Sequence, residues 1–292
     1  MLPQILLATF LSLFTLAETK AQEGHNWLSH LANEKKVQHL HLPGTHNSAA
    51  LLEPLRGTAR CQKLTIQQQL ETGVRFLDIR CRHEENQFSL YHGPISQNQS
   101  FAEFQETLET FLRKNPSECL LISIQETSQP RNNTRSFAET FRGYQAQKNK
   151  LWSLPSKLPK LGKIRGTALL IRRFQSKKPL GINATNWKSQ GIHSSPQLLI
   201  QDQFQVPHLP SKWSALQHFW KEAPKHPHRL KLNFASGYQP NKFKIPNITA
   251  VSSFINPQLQ MKLAQKPAPP VGVIVCDFID HDLTQAIYSL NF

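Results

Sequence analysis

The stretch Val74–Arg82, VRFLDIRCR, decides how this chain is read. Taken as a strand, it places Leu77, Ile79 and Cys81 on one face and Asp78, Arg80 and Arg82 on the other, because successive side chains point to opposite sides. An ordinary half-buried strand turns such charges to water, whereas a strand inside a large sheet can turn them into a site. Alternation alone leaves both readings open. Two flanking segments favour the second. Leu42–Ser48 (LPGTHNS) precedes the strand and Leu90–Gly93 (LYHG) follows it, each with one histidine close to a glycine. Glycine lets a backbone approach a ligand closely.

Working outward, eight segments read as strands: Val37–Leu42, Val74–Arg82, Phe88–His92, Cys119–Ile124, Thr167–Phe174, Leu198–Phe204, Leu230–Ala235 and Val271–Phe278. Helical patterns fall at Asn26–Glu34, Thr65–Glu71, Ser100–Asn115, Ser136–Asn149, Ala215–Lys221 and Asn256–Gln265. Ser100–Asn115 is the clearest. Ser100 and Glu103 suit a capping box, Phe101, Phe104, Leu108, Phe111 and Leu112 share one face, and Asn115–Pro116 stops it. Leu151–Gly166 reads as a loop. Strands separated by helix-length crossovers pair in parallel. Only Val74–Arg82 and Phe88–His92 are joined too tightly for a helix. The expected fold class is α/β, a single irregular TIM-type (β/α) barrel over 22–292, whose chemistry gathers at the C-terminal ends of the strands.

Residues 2–17, LPQILLATFLSLFTLA, followed by ETKA, read as the apolar core and small-residue cleavage site of a secretory signal over 1–21, although no positive side chain precedes them. The run is short for a bilayer span. The expected address is extracellular. Lys and Arg number 34 against 19 Asp and Glu, a formal charge of +15 that favours anionic partners. No compact basic block with interleaved aromatics points to nucleic acid. Cys61, Cys81, Cys119 and Cys276 are too few for a disulfide-built scaffold, and no cysteine–histidine pair has zinc spacing.

The polar residues at predicted strand ends are His46, Asp78, Arg80, His92, Gln125, Glu126, Arg172, Arg173, Asp202 and Asp277. Two histidines, an arginine and carboxylates suit in-line attack on phosphorus. One histidine takes the nucleophile's proton, the other protonates the leaving oxygen, and the arginine balances phosphoryl charge. Any one of these residues alone reads as structural; the set carries the inference.

LPGTHNS, then GVRFLDIRCR, then LYHG closely resembles the X domain of phosphatidylinositol-specific phospholipase C, most of all its secreted, metal-independent bacterial-type members. RGTALLIRRF (Arg165–Phe174), LIQDQF (Leu199–Phe204), FINP (Phe254–Pro257) and VIVCDFI (Val273–Ile279) fall where that family has equivalent segments. The resemblance implies that His46, oriented by Asp277, is the general base on the inositol 2-hydroxyl. It makes His92 the general acid for the diacylglycerol oxygen and Arg80 the phosphate contact, with Asp78 beside it. Arg173 and Asp202 match inositol-binding positions. The implied products are diacylglycerol and a cyclic inositol phosphate, made by a monomer at an anionic membrane surface, without metal or cofactor. Several positions depart from the pattern. Asn47 follows the base where bacterial members carry Asp and calcium-dependent ones carry an Asn ligand. Gln125 stands near a lysine position that contacts inositol, Phe204 replaces a tyrosine, and Thr249–Val251 replaces an aromatic cluster. These changes fall on headgroup contacts and spare the acid–base set. The competing reading is an inactive barrel that binds anionic lipid or glycan through its basic surface.

Overall fold

The computed structural model describes residues 24–187, 190–265 and 271–292, so the expected leader at 1–21 lies outside the described residues. The strands are β1 (Leu42–Thr45), β2 (Phe76–Glu84), β3 (Gln87–His92), β4 (Ile95–Ser100), β5 (Leu120–Glu126), β6 (Trp152–Ser153), β7 (Ala168–Arg173), β8 (Ile182–Asn183), β9 (Ile192–Ser194), β10 (Leu198–Gln201), β11 (Leu230–Phe234), β12 (Gln239–Pro240), β13 (Pro246–Asn247) and β14 (Val273–Cys276). The main sheet runs β6-β7-β5-β2-β1-β14-β11-β10-β9, with β3 and β4 hung from β2, β8 beside β7, and β12–β13 a separate ribbon. Pairing from β6 to β10 is parallel, as the crossover spacing predicts. This is the irregular α/β barrel of TIM type. Its irregularity has a position: no described strand pair joins the β6/β8 edge to the β9 edge, so the curled sheet is open at one seam.

The helices are α1 (Ile66–Thr72), α2 (Phe101–Lys114), α3 (Phe137–Gln147), α4 (Leu209–Glu222), α5 (Ile248–Leu263) and α6 (His281–Tyr288). The first three each begin with a capping box, Thr65/Gln68, Ser100/Glu103 and Ser136/Glu139, which satisfies two otherwise orphaned N–H groups. Two apolar layers result. Leu77, Ile79, Cys81, Ile122, Ile124 and Leu170 face the helices, packing with Leu108, Phe141, Phe219 and Leu283. Phe76, Leu121, Leu169, Ile200, Leu232 and Val275 fill the barrel interior. Each fully buried side chain of this kind contributes about 1.5–3 kcal/mol. Asp78 and Arg80 share the inward face of β2 with Phe76, so the charged face of the opening stretch lines the interior.

Some elements differ from the sequence expectation. Val37–His39 is a 3-10 turn and β1 starts only at Leu42, where the expected strand ended, and takes in Pro43 and Gly44. Packing explains this. A Cβ on Gly44 would lie 3.0 Å from the Phe76 ring and 3.2 Å from the Ile274 carbonyl, so the residue lets three strands close together. Its proximity to His46 therefore serves the sheet, not close approach of substrate. Leu151–Gly166 contains β6, β4 completes a hairpin, and α5 starts at Ile248 and carries Pro257 inside it. Trp27–His30 is a 3-10 turn where a short helix was expected. No helix among the described residues is long and apolar enough to cross a membrane.

Candidate active site

Parallel register brings the first pair together. Thr45 pairs with Cys276, so the next residues along, His46 and Asp277, emerge side by side past the ends of β1 and β14. His46 Nδ1 lies 2.8 Å from Asp277 Oδ1. A carboxylate only accepts, so Nδ1 donates and Nε2 keeps its lone pair. Asp277 Oδ2 accepts from the Gly237 N–H at 3.1 Å. The Gln62 amide donates to the carbonyls of His46 and Cys276, clamping both strand ends.

The same logic builds the opposite wall. Arg80 pairs with Gln125, and Gln125 with Arg173, so three polar side chains form one layer across β2, β5 and β7. One layer deeper, Asp78 is fully buried. Its Oδ1 accepts from Ser123 Oγ at 3.1 Å and Arg173 Nη1 at 3.2 Å, while Oδ2 faces the Asn47 N–H at 3.4 Å. Burial works to raise the Asp78 pKa, but Arg173 and then Arg80 more than offset it and hold the carboxyl below its ordinary range. Arg80 Nη2 donates to His46 Nε2 at 2.7 Å, and its Nε lies 3.9 Å from Asp78.

His92, at the end of β3, meets His46 edge-on, with ring centroids 6.1 Å apart and planes at 87°. Its Nδ1 donates to the Ala59 carbonyl at 2.5 Å, leaving Nε2 as the free ring nitrogen. Burial first, then Arg80 and His46, push its pKa down to about 4. The imidazole is therefore neutral at pH 7. On the far side, the Arg173 guanidinium lies 3.7 Å from the centroid of the Trp187 ring, whose indole N–H donates to Asp202 at 3.0 Å.

The cleft between these groups has a volume of about 250 Å³. Six of the nine residues singled out by the family resemblance line it: His46, Arg80, His92, Gln125, Arg173 and Asp202; Glu126 and Arg172 do not. Asn47, Asp78 and Asp277 stand behind the lining and are buried. Asn47 is in a left-handed conformation at φ 37°, and its side-chain Nδ2 has no partner among the described residues. Tyr238 also lines the cleft, its ring 6.0 Å from Phe204, so a phenol reaches the site from the loop after β11. Tyr238, Trp187, Gln62 and Ser123 escaped sequence reasoning; the glycine–tyrosine pair after a strand end was the one available signal. Lys212 on α4 was missed as well. It is wholly buried, donates to the Gln203 carbonyl at 2.7 Å, and is lowered by burial to about 8 although Asp202 and Asp277 act the other way.

Among the described residues, metal-ligand atoms of His46, Cys61 and Asp277 come within 4.8 Å of one another. That donor set suits a cation poorly. Burial and then Asp277 push the Cys61 thiol well up, His46 and Asp277 are bonded to each other, and a guanidinium already abuts His46. The four cysteines are buried and unbridged.

Residues 37–174 match the family "Phosphatidylinositol-specific phospholipase C, X domain". A 1-phosphatidylinositol phosphodiesterase of Listeria monocytogenes is 28% identical over 283 residues, covering 91% of this chain and 84% of its own. The solved phosphatidylinositol-specific phospholipase C of the same organism superposes with a TM-score of 0.74 at 26% identity, covering 92% of this chain and 99% of that one. A mutant of the Staphylococcus aureus enzyme superposes at 0.80 and 21% identity, over 92% and 97%, and shares the fold. The family match thus covers 37–174, and the likeness to the bacterial enzymes extends along most of the chain.

Proposed function

We propose that this protein is a secreted phosphatidylinositol diacylglycerol-lyase, which cleaves phosphatidylinositol to diacylglycerol and inositol 1,2-cyclic phosphate. One arrangement carries the reading: two histidines 6.1 Å apart, each held through Nδ1 so that Nε2 is left for chemistry, with the Arg80 guanidinium beside them. His46 Nε2 takes the proton of the inositol 2-hydroxyl, and Asp277 stabilises the imidazolium that forms. The 2-oxygen bonds to phosphorus. The diacylglycerol oxygen leaves and takes a proton from His92 Nε2. Arg80 caps the His46 lone pair at 2.7 Å, so the substrate phosphate must draw the guanidinium onto its own oxygens before His46 can act. Arg173, Asp202 and Gln125 hold inositol hydroxyls, while Asn47 and Asp78 set the backs of His46 and Arg80.

The reaction proceeds without metal. A calcium site needs several oxygen ligands, mostly carboxylates. Asp78, the acid beside Arg80, is already matched by Arg173 at 3.2 Å and Arg80 at 3.9 Å. A dication there would meet two guanidinium groups. Phosphorus-31 spectra of phosphatidylinositol vesicles mixed with the enzyme should show the cyclic phosphodiester, equally in chelator and in added calcium. No phosphodiester product would defeat the assignment and leave the lipid-binding reading. Product that requires calcium would defeat the metal-free step alone.

The leader reading makes the enzyme secreted, and exported protein should begin at Gln22. The mouth of the cleft suits a lipid surface. Leu55 and Phe243 are 64% and 71% exposed, beside Arg56, Lys242 and Lys244. The segment carrying Leu55 and the ribbon carrying Phe243 meet where the Ile248 N–H donates to the Gly57 carbonyl, and Ile248 lines the cleft.

A further inference from the structure

The end of the barrel opposite the candidate active site holds a second cleft, of about 270 Å³, that the proposed reaction does not use; Leu40, Ala223, Pro224 and Pro227 form its apolar walls. It opens at the N-terminal ends of three strands. His41 precedes β1, Lys231 lies near the start of β11, and Gly272 precedes β14; Gln38 and His39 close one side. None of its lining residues is acidic. Lys231 is 8% exposed, yet its ammonium has no hydrogen bond or ion pair among the described residues. Two buried polar atoms have no partner among the described residues, Gln38 Oε1 and His41 Nδ1. Burial first, then Lys35 and Lys231, lower His41 to about 4, so its ring is uncharged at neutral pH. Lys35 itself donates to the Asn291 carbonyl at 3.3 Å, and His39 Nε2 is taken by the Pro227 carbonyl at 3.0 Å.

These groups describe a ligand. Lys231 lacks an anion. Gln38 Oε1 lacks a donor, and His41 Nδ1, on a neutral ring, lacks a donor or an acceptor according to its tautomer. A simple carboxylate would answer the lysine and leave Gln38 unsatisfied. Hydrogen phosphate, or a phosphorylated polyol, supplies anionic oxygens for Lys231 together with a hydroxyl hydrogen for Gln38. We propose that this cleft is a second anion site, separate from the cleavage site, that takes ligands of the hydrogen phosphate and phosphomonoester class. The claim is independent of the lyase reading, because it uses none of the same side chains.

The test must place the ligand as well as detect it. The probe is inorganic phosphate at pH 7, read on the ring signals of labelled histidines. His41 should shift and saturate, in the parent and in Arg80→Ala alike, since Arg80 belongs to the other end of the barrel. Lys231→Met should weaken the His41 response about tenfold, the loss expected for one charge-assisted contact, and Lys231→Arg should recover most of it. Phosphatidylinositol turnover of Lys231→Met should match the parent. A response confined to His46 and His92 and lost in Arg80→Ala would overturn the proposal, since phosphate would then occupy the cleavage site alone. So would an equal affinity of Lys231→Met and the parent at His41.

Discussion

Burial, then Arg80, then His46 bring the His92 imidazole down to about 4 from an ordinary 6.5. Under the proposed mechanism this ring must give up a proton that it does not hold on its own at pH 7. The anionic phosphodiester, by engaging Arg80, is what lets the ring take one. The depressed value also has a measurable price in stability. Between about 4 and 6.5 the unfolded chain binds this proton and the folded one does not, so stability falls as the pH is lowered through that window. The gap between 6.5 and about 4 corresponds to about 3 kcal/mol. Urea unfolding at pH 6.5 and at pH 4 should show His92→Gln losing less stability than the parent by about that amount. Asp78 also loses stability toward acid, since its folded pKa lies below its ordinary value, but equally in both proteins. An identical loss in parent and variant would contradict the neutral ring. For Arg80, the proposed phosphate contact predicts that Arg80→Ala raises the barrier by roughly 3–4 kcal/mol in kcat. Arg80→Lys should recover only part of this, because a point charge lacks the planar fork. A turnover for Arg80→Ala within about threefold of the parent would remove Arg80 from the reaction.

At the scale of elements, what the sequence makes legible is separated from what it hides by the reach of the signal. The alternation in Val74–Arg82 places Asp78 and Arg80 on one face, and a capping box announces α2, because both signals are local. That His46 and Asp277 touch depends on the parallel register of β1 and β14, which joins residues 231 apart and leaves no local pattern. Only the likeness of LPGTHNS and VIVCDFI to a known family brought that pair forward. Tyr238 and Trp187 sit in loops, whose paths are set by what they pack against. Lys212 on an amphipathic helix reads as solvated, although it is wholly buried. Gly44 links element to chemistry. Gly44→Ala puts a methyl 3.1 Å from Phe76 Cβ and 3.2 Å from the Ile274 carbonyl, and main chain cannot yield cheaply there. Overpacking of this kind costs about 1–3 kcal/mol in unfolding free energy. Because His46 follows two residues later, kcat should fall as well, with KM little changed. A variant as stable and as active as the parent would show that β1 has slack.

At the scale of the molecule, a charge of +15 and one apolar rim act on the same surface encounter in different ways. The charge draws the protein toward anionic lipid over a distance that shrinks from about 10 Å at 0.1 M salt to about 3 Å at 1 M. The rim contributes only on contact. Phe243 is 71% exposed and Leu55 64%, and the cation of Lys242 lies 5.1 Å from the Phe243 ring centroid. Inserting one such side chain is worth about 1.5–3 kcal/mol, and salt does not screen it. The two contributions can therefore be separated by experiment. Sedimentation with anionic vesicles should weaken steeply between low and high salt for the parent. Phe243→Ala should bind about tenfold more weakly at every salt concentration, with the same salt slope. Turnover on a soluble phosphodiester substrate should be unaffected in that variant, since Phe243 lies outside the lining of the cleft. Parent binding that ignores salt would assign the encounter to apolar insertion. A Phe243→Ala that binds vesicles as the parent does would assign it to charge and take the rim out of the account.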